Sequence, residues 1–174
     1  MTILETSRLT LRLIGGQDAP FILRLLNEPS FVRYIGDRDV RTVDDARAYI
    51  EKGPIASYRA HGFGLWLAQL RQDGTPIGMC GLLKRDTLAD VDIGFAYLPE
   101  YWGRGYALEA ATAVMEHGQR VLGIPRIVAI VSPDNVASIR LLGKLGLVFR
   151  EQIDLNGDGR PTSLFVPAPT PAPP

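Results

Sequence analysis

Apolar and polar residues alternate through Leu9, Leu11 and Leu13, and a period of two predicts a strand with one buried face. The period then lengthens. Phe21, Leu25 and Leu26 fall on one face of a predicted helix that Asp18 can cap, that carries Pro20 in its first turn, and that Asn27-Glu28-Pro29 ends. Ser30 to Arg41 mixes aromatics and charges without a clear period. Thr42 is a second cap, ahead of a stripe of Val43, Ala46, Tyr49 and Ile50; Gly53-Pro54 interrupts that helix, and Ile55 to His61 reads as a further turn. Leu65 to Leu70 and Pro76 to Leu83 are strands around Gln72-Asp73-Gly74-Thr75, a strong hairpin signal.

Val91 to Tyr97 alternates again, and beyond it Ala107, Ala111, Val114, Gly118 and Leu122 recur at helical spacing until Gly123-Ile124-Pro125. Arg126 to Val131 is a short β-branched strand. Asp134 or Asn135 caps a helix that stops near Gly146, and Val148 to Leu155 and Pro161 to Val166 flank Asn156-Gly157-Asp158-Gly159 as a last hairpin. The order βααβββαβαββ mixes hairpins with crossovers, which predicts an α/β fold with a mixed sheet and helices on both faces. The tail from Pro167 to Pro174 is too rich in proline to join the sheet, and is expected to be extended and mobile.

The most informative chemistry lies where the strand ending at Tyr97 gives way to the next helix, in Leu98-Pro99-Glu100-Tyr101-Trp102-Gly103-Arg104-Gly105-Tyr106-Ala107-Leu108-Glu109-Ala110. A helix start carries unpaired N–H groups and a partial positive charge, so it can hold a phosphate. Glycine there lets a ligand approach the backbone with no Cβ in the way. Three phosphate ligands compete. The Gly-Lys-Ser/Thr run of a nucleotide-binding loop is absent from the sequence. A dinucleotide turn needs a third glycine where Leu108 stands. The third reading is a pyrophosphate turn of the acyl-coenzyme A type.

Composition bounds the setting. The 174 residues suit one domain, and an apolar content of 46% suffices for a normal core. A formal net charge of +0 gives no broad footprint for nucleic acid. The single cysteine, Cys80, lies in an apolar run without an adjacent histidine and reads as a buried structural thiol. With no partner for a disulfide, it fits a reducing, cytoplasmic compartment. No signal-peptide core and no bilayer-length apolar run is present, so no membrane partner is expected. The two histidines, His61 and His117, are far apart and no ligand cluster accompanies them, so no metal is expected.

Gly103 and Gly105, on a strand-to-helix turn, resemble the Gln/Arg-x-x-Gly-x-Gly/Ala signature of the GNAT superfamily of acetyltransferases; Glu100 stands where that signature has Gln or Arg. The run Tyr101-Trp102-Gly103-Arg104-Gly105-Tyr106-Ala107 is similar to one branch, the ribosomal-protein N-terminal acetyltransferases and their small-molecule relatives. Further blocks resemble that branch in order: Glu5 to Arg12, Gly62 to Trp66 through Gly78 to Leu82, Pro133 to Leu142, and Lys144 to Leu147.

The resemblance implies a GNAT fold, with a mixed, mostly antiparallel seven-stranded sheet and helices on both faces. It implies a single domain over residues 1–166 and a tail over 167–174. The implied activity is acetyl-CoA-dependent N-acetyl transfer to a primary amine, a protein N-terminus or a small molecule, by direct attack in a ternary complex. The pantetheine arm is expected beside Phe95, Ala96 and Tyr97, where a strand-edge N–H can polarise the thioester. The pyrophosphate is expected on the backbone from Trp102 through Gly103, Arg104, Gly105 and Tyr106 to Ala107, with the Arg104 side chain either touching phosphate or merely solvated.

Many members carry a tyrosine acid where Leu142 stands, and leucine cannot donate a proton. The resemblance points instead to Ser138 as the group that hydrogen-bonds the leaving thiolate, against a plain helix-start role. Asn135 contacts the coenzyme, caps the helix, or both. Asp92, on one strand face with Gly94 and Ala96, is the candidate base. Glu100, Tyr97, His61, His117 and water are its rivals, with His117 better read as a solvated-face residue between Glu116 and Arg120. Pro29 to Thr42, with Arg33, Tyr34, Asp37 and Arg41, is expected at the acceptor entrance together with the last hairpin. The departures at Leu142 and Glu100 keep a second reading open, a degenerate acyl-CoA-binding or sensing module without turnover. A homodimer is also left open.

Overall fold

The start of the chain forms two strands where the alternation predicts one. In the computed structural model, which describes residues 1–169, β1 (Thr2–Glu5) and β2 (Leu9–Leu13) make an antiparallel hairpin. Its turn is built by a side chain. Thr6 donates its N–H to the Leu9 carbonyl at 2.9 Å, and its hydroxyl accepts the Leu9 N–H at 3.0 Å. A threonine turn lacks the Gly or Asn-Gly signature of a tight hairpin. The sheet therefore has eight strands rather than seven.

The helices of the next segment revise three expectations. Asp18 precedes α1 (Ala19–Leu26) without capping it. Its carboxylate accepts from both Nη atoms of Arg12, at 2.8 and 2.9 Å, and from the Gly15 N–H at 2.9 Å. Pro29 opens α2 (Pro29–Tyr34) as well as ending the segment before it, because a first-turn residue needs no N–H partner. Thr42 caps α3 (Val43–Ile50) as predicted, in a reciprocal pair with Asp45. Gly53-Pro54 does not break that helix. The chain widens into a π turn over Glu51–Ile55 and continues as α4 (Ala56–His61), so the wider hydrogen-bond spacing absorbs the missing Pro54 N–H.

The remaining elements are β3 (Leu65–Leu70), β4 (Pro76–Leu83), β5 (Val91–Tyr97), α5 (Tyr106–Arg120), β6 (Ile127–Val131), α6 (Val136–Lys144), β7 (Leu147–Asp154) and β8 (Pro161–Pro167). The strand order is β1-β2-β3-β4-β5-β6-β8-β7, antiparallel throughout except for β5 and β6. On one face, Ala110 and Val114 of α5 and Leu142 of α6 pack with Leu11, Ile93 and Ile127. On the other, Ile22 and Leu25 of α1 and Ile50 of α3 pack with Leu67, Met79 and Leu98. Pro167 corrects the predicted tail boundary: it pairs with Leu147, and the Ala168 N–H bonds the Gly146 carbonyl at 3.1 Å. A proline at the end of a strand removes no interior ladder bond. The rest of the predicted mobile tail, 170–174, lies outside the described residues. No helix among the described residues is long and apolar enough to cross a membrane.

The one parallel contact is short. β5 and β6 pair only at Val91 with Ile127 and at Asp92 with Val128. Beyond Asp92 the two strands part, and the sheet opens into a wedge.

Candidate active site

The wedge exposes one edge of β5. The Leu98 N–H bonds the Ile77 carbonyl at 3.0 Å, which fixes the alternation along the strand. Ala96 and Leu98 point their backbone groups at β4, while Phe95 and Tyr97 point theirs into the wedge. The Tyr97 carbonyl is taken by the indole N–H of Trp102 at 2.8 Å. The Phe95 N–H and carbonyl and the Tyr97 N–H remain. The Tyr97 side chain goes the other way, into the core under α5. Its hydroxyl is buried without a hydrogen-bond partner among the described residues, and burial pushes its pKa well up. Tyr97 is thereby removed as a rival base and serves the wedge through its backbone.

The glycine turn follows. Gly103 and Gly105 sit in the left-handed region with φ of 70° and 80°, where glycine alone is unstrained. The first helical bond of α5 runs from the Glu109 N–H to the Gly105 carbonyl at 3.0 Å. The amides of Tyr106, Ala107 and Leu108 precede it and have no acceptor among the described residues. Two predicted members of this cradle behave differently. The Trp102 N–H is spent on the Pro99 carbonyl at 3.1 Å, and its ring stands on the rim. The Arg104 guanidinium lies over the Tyr101 ring, 5.9 Å from its centroid, and does not line the cleft.

A latch behind the turn was not read from the sequence. Arg8, in the β1–β2 turn, gives its Nε to Glu109 at 2.6 Å, its N–H to the same carboxylate at 2.9 Å, and an Nη to the Arg104 carbonyl at 2.9 Å. Its guanidinium also covers the Tyr106 ring at 4.5 Å. The hydroxyls of Thr6 and Ser7 donate to Glu109 at 2.6 and 3.0 Å. Burial would raise the Glu109 pKa, but the bonds from Thr6, Arg8 and Ser7 prevail and hold it at about 2. Nothing local marks Arg8, because its partners lie about a hundred residues away in the chain.

A cleft of about 600 Å³ runs from the turn along β5 to α6; Phe95, Ala96, Tyr97, Gly105, Ala107 and Ser138 line it. A second groove, of about 380 Å³, is lined by Tyr49, Arg85, Asp92, Gly94 and the β7–β8 hairpin. The two share Phe31, Tyr34, Ile35, Phe95, Asn135 and Ser138. Asn135 caps α6 by accepting the Ser138 N–H at 3.2 Å. The Ser138 hydroxyl bonds no protein group among the described residues, so it is not occupied by a helix-start role. Leu142 is buried in the core.

Asp92 is fully buried. Its Oδ1 accepts Arg85 Nε at 2.9 Å, and its Oδ2 has no partner among the described residues. Burial raises its pKa, and the Arg85 charge opposes this. The other rivals stand elsewhere. Glu100 is exposed and bonds Arg24 at 2.5 Å. His61 is exposed at the end of α4, stacked on Phe63 at 5.8 Å. His117 is not on a solvated face: it is half-buried, meets Trp66 edge-on at 5.6 Å, and burial lowers its pKa. At the groove entrance Arg33 and Tyr34 line the wall, while Asp37 and Arg41 pair with each other at 2.5 Å and stay off it.

A parted strand pair, a glycine turn at a helix start, and two clefts that meet at one wall lie together on this side of the sheet. The chain belongs to the GNAT acetyltransferases: the family described as "Acetyltransferase (GNAT) domain" matches residues 8–148. It is accordingly an N-acetyltransferase. It is similar to the uncharacterized N-acetyltransferase YoaA of Bacillus subtilis, 33% identical over 170 residues that cover 94% of each chain. It is 25% identical over 137 residues to the spermidine N(1)-acetyltransferase of Escherichia coli, covering 78% of this chain and 70% of that one. In fold it matches an acetyltransferase from Agrobacterium tumefaciens with a TM-score of 0.82 at 24% identity, over 97% of this chain and 95% of that one. It also matches RimL, a ribosomal alpha-N-protein acetyltransferase solved with coenzyme A, with a TM-score of 0.81 at 18% identity, over 95% and 97%.

Proposed function

We propose that the cleft along β5 takes acetyl-CoA, that the groove takes a primary amine, and that the acetyl group passes directly between them. The observation that carries this reading is the shared wall of Phe95, Asn135 and Ser138, where a thioester from one arm and an amine from the other would meet. The residues fit the coenzyme. Unpaired amides at the start of α5 suit the pyrophosphate. A free strand edge suits the amide-bearing arm, which can add to it as a strand would. The coenzyme A bound by the fold neighbour RimL supports the same assignment. A cytoplasmic setting belongs to this reading and agrees with the lone, buried Cys80.

Acetyl-CoA brings an activated acyl group and a thiolate leaving group. The protein supplies the rest. The N–H groups of Phe95 and Tyr97 face the wedge about 7 Å apart; one of them polarises the carbonyl oxygen, and the other pairs with the amide-bearing arm. Asp92 receives the proton that the amine sheds as the N–C bond forms, directly or through one water. Its buried site makes it a stronger base than an exposed aspartate, and Arg85 favours its ionised form. As the C–S bond breaks, the Ser138 hydroxyl donates a hydrogen bond to the thiolate.

Two variants test the coenzyme arm. At Gly105 a Cβ would meet Arg8 Nη2 at 3.3 Å, in a backbone conformation that valine rarely adopts. Gly105→Val should lose on the order of tenfold or more in acetyl-CoA affinity by calorimetry while keeping its circular dichroism spectrum. Unchanged affinity in the folded variant would remove the turn from the coenzyme site. Ser138→Ala should lower turnover roughly tenfold to a hundredfold with the acetyl-CoA Kd unmoved, because its contact strengthens only as thiolate develops. Full turnover would end its part in the chemistry.

A further inference from the structure

The acceptor groove is richer in arginine than in acid. Arg33, Arg38, Arg85 and Arg160 line it, against Asp92 and Asp158. Arg33 is occupied by Asp134 at 3.2 Å, and Arg160 stands 4.0 Å from Asp158. Arg38 forms no ion pair among the described residues. Arg85 commits only its Nε to Asp92, which leaves both Nη groups without a protein acceptor among the described residues. Arg38, Tyr49 and Arg85 line the groove together. Behind them lies the Asp92 Oδ2, fully buried and unpartnered. An orphaned carboxylate oxygen in a polar groove calls for a donor.

We propose that the acceptor is an α-amino acid, bound as the zwitterion with its nitrogen toward Asp92 Oδ2 and its carboxylate on the free Nη groups of Arg85, with Arg38 on the same groove wall; the ammonium gives one proton to solvent before it attacks, and a second to Asp92 as the N–C bond forms. This rests on the groove being the amine site. Both ends of the ligand are set by one ion pair, since a single guanidinium touches Asp92 and faces the groove. The two charges of the ligand must therefore lie close together, as they do across one carbon atom. A polyamine would bring several positive charges against Arg33, Arg38 and Arg160, with one buried acid to receive them. A peptide N-terminus has a neutral amide in place of the carboxylate and would leave the guanidinium N–H groups unanswered.

The test is thiol release from acetyl-CoA by the full chain, with each common amino acid, its amide, short peptides and spermidine as acceptors. The best amino acid should exceed its own amide in kcat/KM roughly tenfold to a hundredfold, the scale of a charge-assisted hydrogen bond, with spermidine lowest. Arg38→Gln should raise KM for the acid severalfold and leave KM for the amide in place, whereas a merely structural role would move both alike. An amide, peptide or spermidine that matches or beats the acid overturns the assignment and leaves the transferase reading standing. Silence from every amine, in a protein that still binds acetyl-CoA, overturns the groove as an amine site and this inference with it.

Discussion

Asp92→Asn should bind acetyl-CoA normally and turn over its acceptor roughly a hundredfold to ten-thousandfold more slowly, the range that a positioned base contributes. The side chain is fully buried on the groove wall with one oxygen free. Asparagine keeps the shape and removes the basicity. The loss should not come from unfolding. Burial, outweighing Arg85, raises the Asp92 pKa above its ordinary 3.8, so folding favours the protonated form. That preference stabilises the fold below the ordinary pKa and is lost as the pH rises through the raised one. At neutral pH the ionised carboxylate is a cost, and the neutral variant should melt no lower than the parent. Activity of the parent should fall on the acid side as Asp92 takes up a proton. The variant should lack that step, and its deficit should shrink at high pH as free amine accumulates. Superimposable pH–rate profiles at saturating acceptor would take Asp92 out of the proton transfer. A raised acceptor KM with an unchanged maximal rate would make it an ammonium anchor only.

Glu109→Ala should destabilise the fold by roughly 2–3 kcal/mol at neutral pH, and weaken coenzyme binding besides. Its carboxyl falls from 4.5 to about 2 in the fold. At about 1.4 kcal/mol per unit this gives an upper bound of about 3.4 kcal/mol, trimmed because the Arg8 side chain is 47% exposed. A depressed carboxyl pKa stabilises above the unfolded value and is lost as the pH falls through the folded one. Urea unfolding should therefore show a gap between parent and variant that is full at pH 7 and closes between pH 4.5 and about 2. Without Glu109, Arg8 has no anchor from which to hold the Arg104 carbonyl, and the glycine turn loosens. Equal stability at pH 7, or a gap that does not close in acid, would show that the latch carries little.

The strands from Leu65 to Tyr97, the Gln72 to Thr75 hairpin and the cap at Thr42 were legible because each is decided by local chemistry: alternation, a turn dipeptide, a hydroxyl before a helix. The glycine turn was legible for the same reason. What escaped is set by partners distant in sequence. Asp18 looks like a cap until Arg12 claims it. The π turn at Pro54 looks like a break until α4 continues it. β1 hides because a threonine side chain makes its turn. At the site, the family resemblance pointed to Ser138, and residue type with strand face to Asp92, but the parting of β5 from β6 after two residue pairs could not be read from composition or period. Nor could the loss of the Trp102 amide to Pro99, since the run Trp102 to Ala107 gives no sign of which N–H groups are already committed.

The parted strands also bear on where the sheet leaves its backbone groups unpaired. A strand edge with unpaired amides is a template on which another chain can add, and exposed edges of this kind promote aggregation. The free edge of β5 is in the middle of the sheet, recessed between two halves that diverge, and the Trp102 indole closes its last carbonyl. Opening the sheet internally leaves unpaired backbone groups of Phe95 and Tyr97 inside the fold, where an outer edge strand would leave them on the rim.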